Sequence, residues 1–301
     1  MSFGGGELST ALGRAVAEQL GSEVVGSHYL IGGDINIALR CRLADGRTVF
    51  VKTNPNPPRG MFQAEARGLE WLRAAGALRI PEVLAVPEAD AAEQFLVLEH
   101  LAAGRRVPEF DQRCGEGLAA LHRSLPSDAS FGLEHDNFIG RLGQRNQARG
   151  AAASDWAEFY VAQRLEPQLA LAQQSGLAPT SLRQRLSKLF SRVAALVGAP
   201  EPPARLHGDL WGGNLHTDEA GQPVLIDPAA YAGHREVDLA MMKLFGGFSP
   251  AVFESYQAAY PLQPGHEQRV GLYQLYPLLV HLNLFGASYV GAIERSLDEL
   301  V

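Results

Sequence analysis

Apolar positions recur at helical spacing from Glu7 to Leu20, with Ser9 and Thr10 as candidate caps. The pattern then changes to strand-like runs at Ser22–Leu30, Ala38–Leu43 and Thr48–Thr53. Ala44-Asp45-Gly46-Arg47 joins the last two, and Asp-Gly between apolar runs predicts a hairpin. Prolines 55, 57 and 58 break the chain before a periodic segment, Met61–Ala75, that predicts a helix. Ile80–Ala85 and Phe95–Leu98 read as two more strands, so the β-rich part ends near Leu101. Beyond Gln112 the spacing is helical at Cys114–Ser124, Ser154–Gln174 and Leu182–Val197. It is helical again at Val237–Phe245, Pro250–Tyr260 and through Glu267–Leu297. Ala102–Asp111 is the predicted hinge, and Ala148–Ala153 a mobile stretch between elements. The expectation is an α+β, two-lobed chain: a small antiparallel sheet lobe over 1–101 and a larger, mainly helical lobe over 102–301.

Composition narrows the setting. A chain of 301 residues is long enough for two lobes, each with its own core. A formal charge of −7 and a pI near 5.7 argue against a broad nucleic-acid surface. Two widely spaced cysteines, Cys41 and Cys114, fit packed thiols in a reducing compartment. Met1–Gly6 shows no signal-peptide pattern. The apolar run Leu272–Ala287 is interrupted by Gln274, Pro277, His281 and Asn283 and is too short to span a bilayer. A soluble cytoplasmic protein is expected, without nucleic-acid or membrane partners, as a monomer or weak homodimer.

The candidate chemistry lies in Leu206-His207-Gly208-Asp209-Leu210-Trp211-Gly212-Gly213-Asn214-Leu215, a polar loop that precedes strand-like Val224-Leu225-Ile226 and then Asp227. Asp209 and Asn214 keep the D-x-x-x-x-N spacing of a kinase catalytic loop. Phosphoryl transfer needs a carboxylate to orient and deprotonate a hydroxyl. It also needs an amide oxygen and a second carboxylate for magnesium. Asp209, Asn214 and Asp227 supply these in the expected order. A metal-site fragment or a plain polar loop is the alternative, but no C-x-x-C or H-E-x-x-H accompanies it.

Other residues fall into place around that loop. Lys52, on the same strand face as Phe50, is the candidate phosphate contact, oriented by Glu65 with Glu70 as fallback. Gly32 and Gly33 would let backbone N–H groups approach phosphate, although an ordinary hairpin turn reads the same way. Glu99-His100-Leu101 closes the last strand where hinge backbone groups, notably at Glu99 and Leu101, would meet adenine. His122 is expected to make a structural hydrogen bond, and Asp238 to cap a helix and brace the loop. No G-x-x-x-x-G-K-[ST] occurs, which disfavours a P-loop.

With these residues placed, the chain resembles the fructosamine kinase (ketosamine 3-kinase) family. That family lies in the aminoglycoside-phosphotransferase-like branch of the protein-kinase-like fold. His207 to Asn214 matches its signature, and Trp211 after Asp209-Leu210 separates the sequence from most aminoglycoside phosphotransferases. Asp227-Pro228-Ala229, Tyr231 to Ala240, Leu244 to Phe248 and Tyr273 to Tyr276 continue the match. The resemblance implies ATP- and Mg2+-dependent phosphorylation of the 3-hydroxyl of ketosamines, small molecules or glycated protein lysines. The unstable product then releases the amine. Bacterial members are expected to favour ribulosamines or erythrulosamines. Asp34 stands where some members carry a cysteine, so no redox switch is expected there.

The implied mechanism has Asp209 as base, Asn214 and Asp227 holding magnesium, Lys52 with Glu65 steadying phosphates, and Trp211 either facing the sugar or packing the loop. The rivals are a phosphotransferase for an aminoglycoside, choline or homoserine, and a non-catalytic nucleotide-binding scaffold.

Overall fold

The computed structural model describes residues 8–30 and 35–300. Helix α1 (Thr10–Leu20) precedes strands β1 (Val24–Leu30), β2 (Ile37–Leu43) and β3 (Thr48–Thr53), then α2 (Met61–Arg73), β4 (Val83–Ala85) and β5 (Phe95–Glu99). The strands form one antiparallel sheet in the order β1-β2-β3-β5-β4. The predicted start of α1 moves to Thr10, because Ser9 caps it by accepting from Leu12 N–H; Glu7 lies outside the described residues.

Alternation along the strands sorts side chains between two environments. Leu39, Cys41, Val49, Val51, Phe95 and Val97 pack on Leu12 and Val16 of α1. Phe50, Lys52, Leu96 and Leu98 occupy the opposite face, where Leu96 and Leu98 pack with Phe62, Ala66, Leu69 and Leu72 of α2. That second cluster continues into the helical half through Leu118, Leu210, Leu239 and Val252. Each lobe also has a core of its own, the cluster around α1 in the sheet lobe and a larger one in the helical half, and the second cluster joins them. The lobes share this core under the sheet, and the loop carrying Asp209 is anchored in it through Leu210 and Leu215.

The helical half comprises α3 (Phe110–His122), hairpin β6 (Asn137–Ile139) and β7 (Leu142–Gln144), α4 (Trp156–Phe159), α5 (Glu166–Gln174), α6 (Thr180–Phe190) and α7 (Val193–Leu196). Strands β8 (Ala204–Leu206), β9 (Leu215–Thr217), β10 (Pro223–Leu225) and β11 (Tyr231–Gly233) frame the loop. Helices α8 (Glu236–Phe245), α9 (Pro250–Ala259), α10 (His266–Phe285) and α11 (Val290–Leu300) follow. Its core gathers Phe159, Tyr160, Leu186, Tyr231, Tyr273 and Leu279.

Several boundaries differ from the periodic reading, each for a local reason. The strand expected from Ile80 begins at Val83, because Arg79 leaves the sheet to bridge Val224 of β10. A π-helical turn, Tyr160–Leu165, interrupts the helix expected at Ser154–Gln174, with Arg164 turned inward over the Tyr231 ring at 3.8 Å. Leu182–Val197 breaks where the Ser191 hydroxyl takes the Lys188 carbonyl at 2.9 Å. Gly286, at φ 95°, ends α10 inside the run expected to Leu297. Helix α3 starts at Phe110, ahead of Cys114 and within the expected hinge. The stretch Ala148–Ala153 contains a 3-10 turn, Gly150–Ala153, whose last carbonyl accepts Phe131 N–H at 2.9 Å. The β6–β7 hairpin was absent from the sequence reading. Its strands of three residues are too short for a period to show.

Among the described residues no helix is long and apolar enough to cross a membrane. Cys41 and Cys114 are free and buried, and burial pushes their thiols up to about 11 and about 12.

Candidate active site

A cavity of about 1090 Å3 lies between sheet and helices. Leu30, Ala38, Phe50, Lys52, Leu98 and Leu101 form one side, and Asp209, Trp211, Asn214 and Asp227 the floor.

The loop owes its shape to Asp238, fully buried in the first turn of α8. Its two carboxylate oxygens accept His207 N–H at 2.8 Å and Gly208 N–H at 2.9 Å. His122 lies 3.3 Å from the same carboxylate and 2.8 Å from the Tyr256 hydroxyl. Asp238 thus braces the loop as expected, but it does not cap α8: Arg235 occupies the cap position. Gly208 sits at φ 80°, and a Cβ there would lie 2.1 Å from the Ala229 carbonyl oxygen, so glycine is required.

His207 is buried and does not line the cavity. Its Nε2 is 2.9 Å from the Ile226 carbonyl, which can only accept, so Nε2 carries the proton. Nδ1 then accepts Asp209 N–H at 3.3 Å. Burial holds its pKa below the ordinary value, keeping this tautomer neutral.

Asn214 links the three chemical groups. Its Nδ2 donates to the Asp209 backbone oxygen at 2.7 Å, to Asp209 Oδ2 at 3.3 Å and to the Asp227 backbone oxygen at 3.4 Å. Its side-chain oxygen is thereby left for another ligand. Asp227, at φ 55°, is the one non-glycine residue with positive φ among the described residues. Behind it, Asn137 Nδ2 donates to the Ala230 carbonyl at 2.8 Å and Gln144 Nε2 to the Ala229 carbonyl at 2.9 Å. These two hairpin residues were missed in the sequence, where nothing in their spacing marks them.

Lys52 reaches from β3 to Glu65 of α2 at 2.7 Å and to Asp227 at 2.9 Å. Burial alone would lower its pKa, but the charges of Asp227 and Glu65 outweigh this and hold the ammonium above its ordinary value. Glu65 is shifted upward by burial. Glu70, the fallback partner, is exposed. Asp209 is pushed up to about 7, first by burial and then by the charge of Asp227.

Glu99 and Leu101 line the cavity, but the Glu99 N–H is already committed to the Glu82 carbonyl at 2.9 Å. The Glu99 carboxylate holds Arg79 at 3.0 Å, and Arg79 also pairs with Asp218 at 2.6 Å, tying the sheet to the β9–β10 turn. Neither Arg79 nor Asp218 was singled out in the sequence. Gly32, Gly33 and Asp34 lie outside the described residues. Trp211 covers Gly213, where an added Cβ would meet its ring at 2.3 Å, yet the residue stays 43% exposed.

The chain is similar to known proteins along nearly its whole length. The sequence profile of fructosamine kinase matches residues 8–301. A Synechocystis protein named as a probable ketoamine kinase is 39% identical over 300 residues, covering 97% of each chain. A Thermobifida fusca crystal structure provisionally named fructosamine-3-kinase superposes with a TM-score of 0.85 at 36% identity, covering 96% of this chain and 98% of that one. The aminoglycoside phosphotransferase APH(4)-Ia, at 17% identity and a TM-score of 0.63 over 98% of this chain and 100% of that one, shares the two-lobed kinase-like fold. The chain belongs to the fructosamine kinase family.

Proposed function

We propose that this protein is an ATP-dependent kinase that phosphorylates the 3-hydroxyl of ketosamines, a deglycation activity. The observation that carries the reading is the Glu65–Lys52–Asp227 chain of ion pairs, in one cavity with Asp209 and Asn214. A buried lysine between two carboxylates, facing a third carboxylate of raised pKa, fits phosphate binding beside a base.

The residues present suit magnesium. Asn214 presents a free amide oxygen and Asp227 a carboxylate that is 41% exposed, both hard oxygen donors. Among the described residues no group of three or more His, Cys, Asp or Glu could hold a metal. Magnesium on a nucleotide needs only one or two protein oxygens beside the phosphates. When bound, it neutralises phosphate charge during transfer. Lys52, held by Glu65, steadies the phosphates, while Asp209 orients the sugar hydroxyl and accepts its proton. Positioning and charge neutralisation supply most of the acceleration.

The raised Asp209 pKa sets a pH dependence. A protonated carboxyl cannot accept the hydroxyl proton, so kcat/KM is expected to fall as pH drops through about 7, reaching roughly tenfold per unit below it. A kcat/KM that stays flat down to about pH 5.5 would remove Asp209 from the base role.

Trp211, exposed at the cavity floor, is suited to face the sugar. Trp211→Phe is expected to raise the ketosamine KM several-fold with little change in Tm. An unchanged KM with a lowered Tm would assign the ring to packing.

The function is tested by magnesium-dependent ADP release with ribuloselysine, fructoselysine, an aminoglycoside and choline, with phosphorus NMR locating the phosphate. Ketosamine-dependent release with phosphate on the 3-oxygen is expected. Release with the aminoglycoside or choline alone would replace the reading, and no release with any ketosamine would revive the scaffold alternative.

A further inference from the structure

Beyond Asp209 and Trp211 the cavity runs out along a wall that the chemistry above does not use. Phe245 from the end of α8, His281 and Phe285 from α10, and Tyr289 from the following turn line it together with Leu284 and Ser288. The His281 ring centroid lies 4.4 Å from Phe245, 5.3 Å from Phe285 and 5.2 Å from Tyr289. Phe285 is 49% exposed, so the wall opens to solvent. It is also tied to the catalytic loop, because Gly212 N–H donates to the Gly246 carbonyl at 3.0 Å, one residue after Phe245. Nothing larger than glycine fits that junction: a Cβ on Gly212 would lie 2.7 Å from Gly247 Cα.

The wall's charge is as informative as its shape. The cavity's only carboxylates among the described residues are Glu65, Glu99, Asp209 and Asp227, and none lies on α10. A polycationic acceptor would find no anionic partners on this side. His281 Nδ1 is 2.8 Å from the Pro277 carbonyl and therefore carries a proton. Burial keeps the imidazole below its ordinary pKa, so the ring is neutral near pH 7 and Nε2 is an acceptor. The ring's one hydrogen bond among the described residues is the one at Nδ1.

A ketosamine places its amine only a few covalent bonds from the 3-hydroxyl. With that hydroxyl at Asp209, the ammonium and whatever it carries must leave along an adjacent wall. Aromatic faces attract a cation without binding it as a carboxylate would, and they also cover an aliphatic chain. Resting on the ketosamine reading, we propose that Phe245, His281, Phe285 and Tyr289 form a subsite for the amine-bearing arm of the substrate. The arm is the side chain of a glycated lysine passing out by Phe285. A lysine tethered to a peptide or protein therefore reaches Asp209 as well as a free one does.

The test compares acceptors that share a sugar and differ in what the amine carries: the aglycone-free amino-ketose, its Nα-acetyl-lysine adduct, and the sugar on an intact protein. In the native enzyme kcat/KM for the lysine adduct is expected to exceed that of the aglycone-free compound by at least about tenfold, a preference of about 1.4 kcal/mol. Phe285→Ala, at a half-exposed position, and His281→Asn should each bring this ratio to within about threefold of one. A native ratio near one, or a ratio unchanged in both variants, overturns the subsite while leaving the kinase reading intact. Failure of the native enzyme to phosphorylate any of the three overturns both.

Discussion

Asp209→Asn is expected to lower kcat by about a thousandfold, the range of a lost general base, while leaving ATP affinity within a few-fold. The amide keeps the size of the side chain and an oxygen facing Asn214, which now donates at 3.3 Å. It cannot take the proton of the attacking hydroxyl. Stability should move the other way. The Asp209 pKa is raised to about 7, above its unfolded value, so the carboxyl favours folding while protonated and loses that contribution as pH rises through about 7. At pH 8 the ionised carboxylate sits partly buried beside Asp227, and replacing it with a neutral amide should hold or raise Tm. Single-turnover phosphoryl transfer, nucleotide titration and thermal unfolding at pH 8 measure the three quantities. Near-native turnover would remove Asp209 from the base role, and a clear drop in Tm would show that the charge is not strained.

Asp238→Ala should cost both folding and catalysis without touching any substrate. Two buried backbone N–H groups, at His207 and Gly208, lose their acceptors, and His122 loses its carboxylate neighbour. Buried donors left unpaired make the expected loss roughly 3–5 kcal/mol, a large part of the stability of an ordinary domain. Asp238→Asn keeps one good acceptor and should fall between the two. In the fraction that remains folded, kcat should fall far more than the ATP KM changes, because the released loop carries the Asp209 backbone and spares Lys52. Denaturant unfolding with steady-state kinetics separates the two effects. A stable Ala variant of full activity would mean that the loop holds its shape through Gly208 and His207 alone.

The chemical groups were legible because each is fixed by local spacing. Asp209 and Asn214 lie on one short loop, Asp227 follows a strand, and Lys52 shares a strand face with Phe50. For such groups the order along the chain stands in for geometry. The Lys52–Glu65 pair was also readable, since kinase sites set a helix glutamate against a strand lysine, and the fold takes Glu65 rather than Glu70. The same reading failed where a group acts across the fold. Arg79 lies just ahead of the run Ile80–Ala85, and nothing in that run marks its reach to Asp218 in the other lobe. Asn137 and Gln144 carry no signal in their spacing, yet they hold the backbone after Asp227. His207 stood at the head of the motif and proved to be a buried brace for the loop.

Local spacing determined the order of the lobes and singled out the groups proposed for phosphoryl transfer, because hydrophobic period and loop length act over a few residues. Tertiary structure alone decided the shared core beneath the sheet, the raised pKa of Asp209 and the uncharged aromatic wall on α10. A shared core and a desolvated carboxylate arise only when segments far apart in sequence exclude water together. The wall likewise exists only once α8 and α10 bring Phe245 against His281.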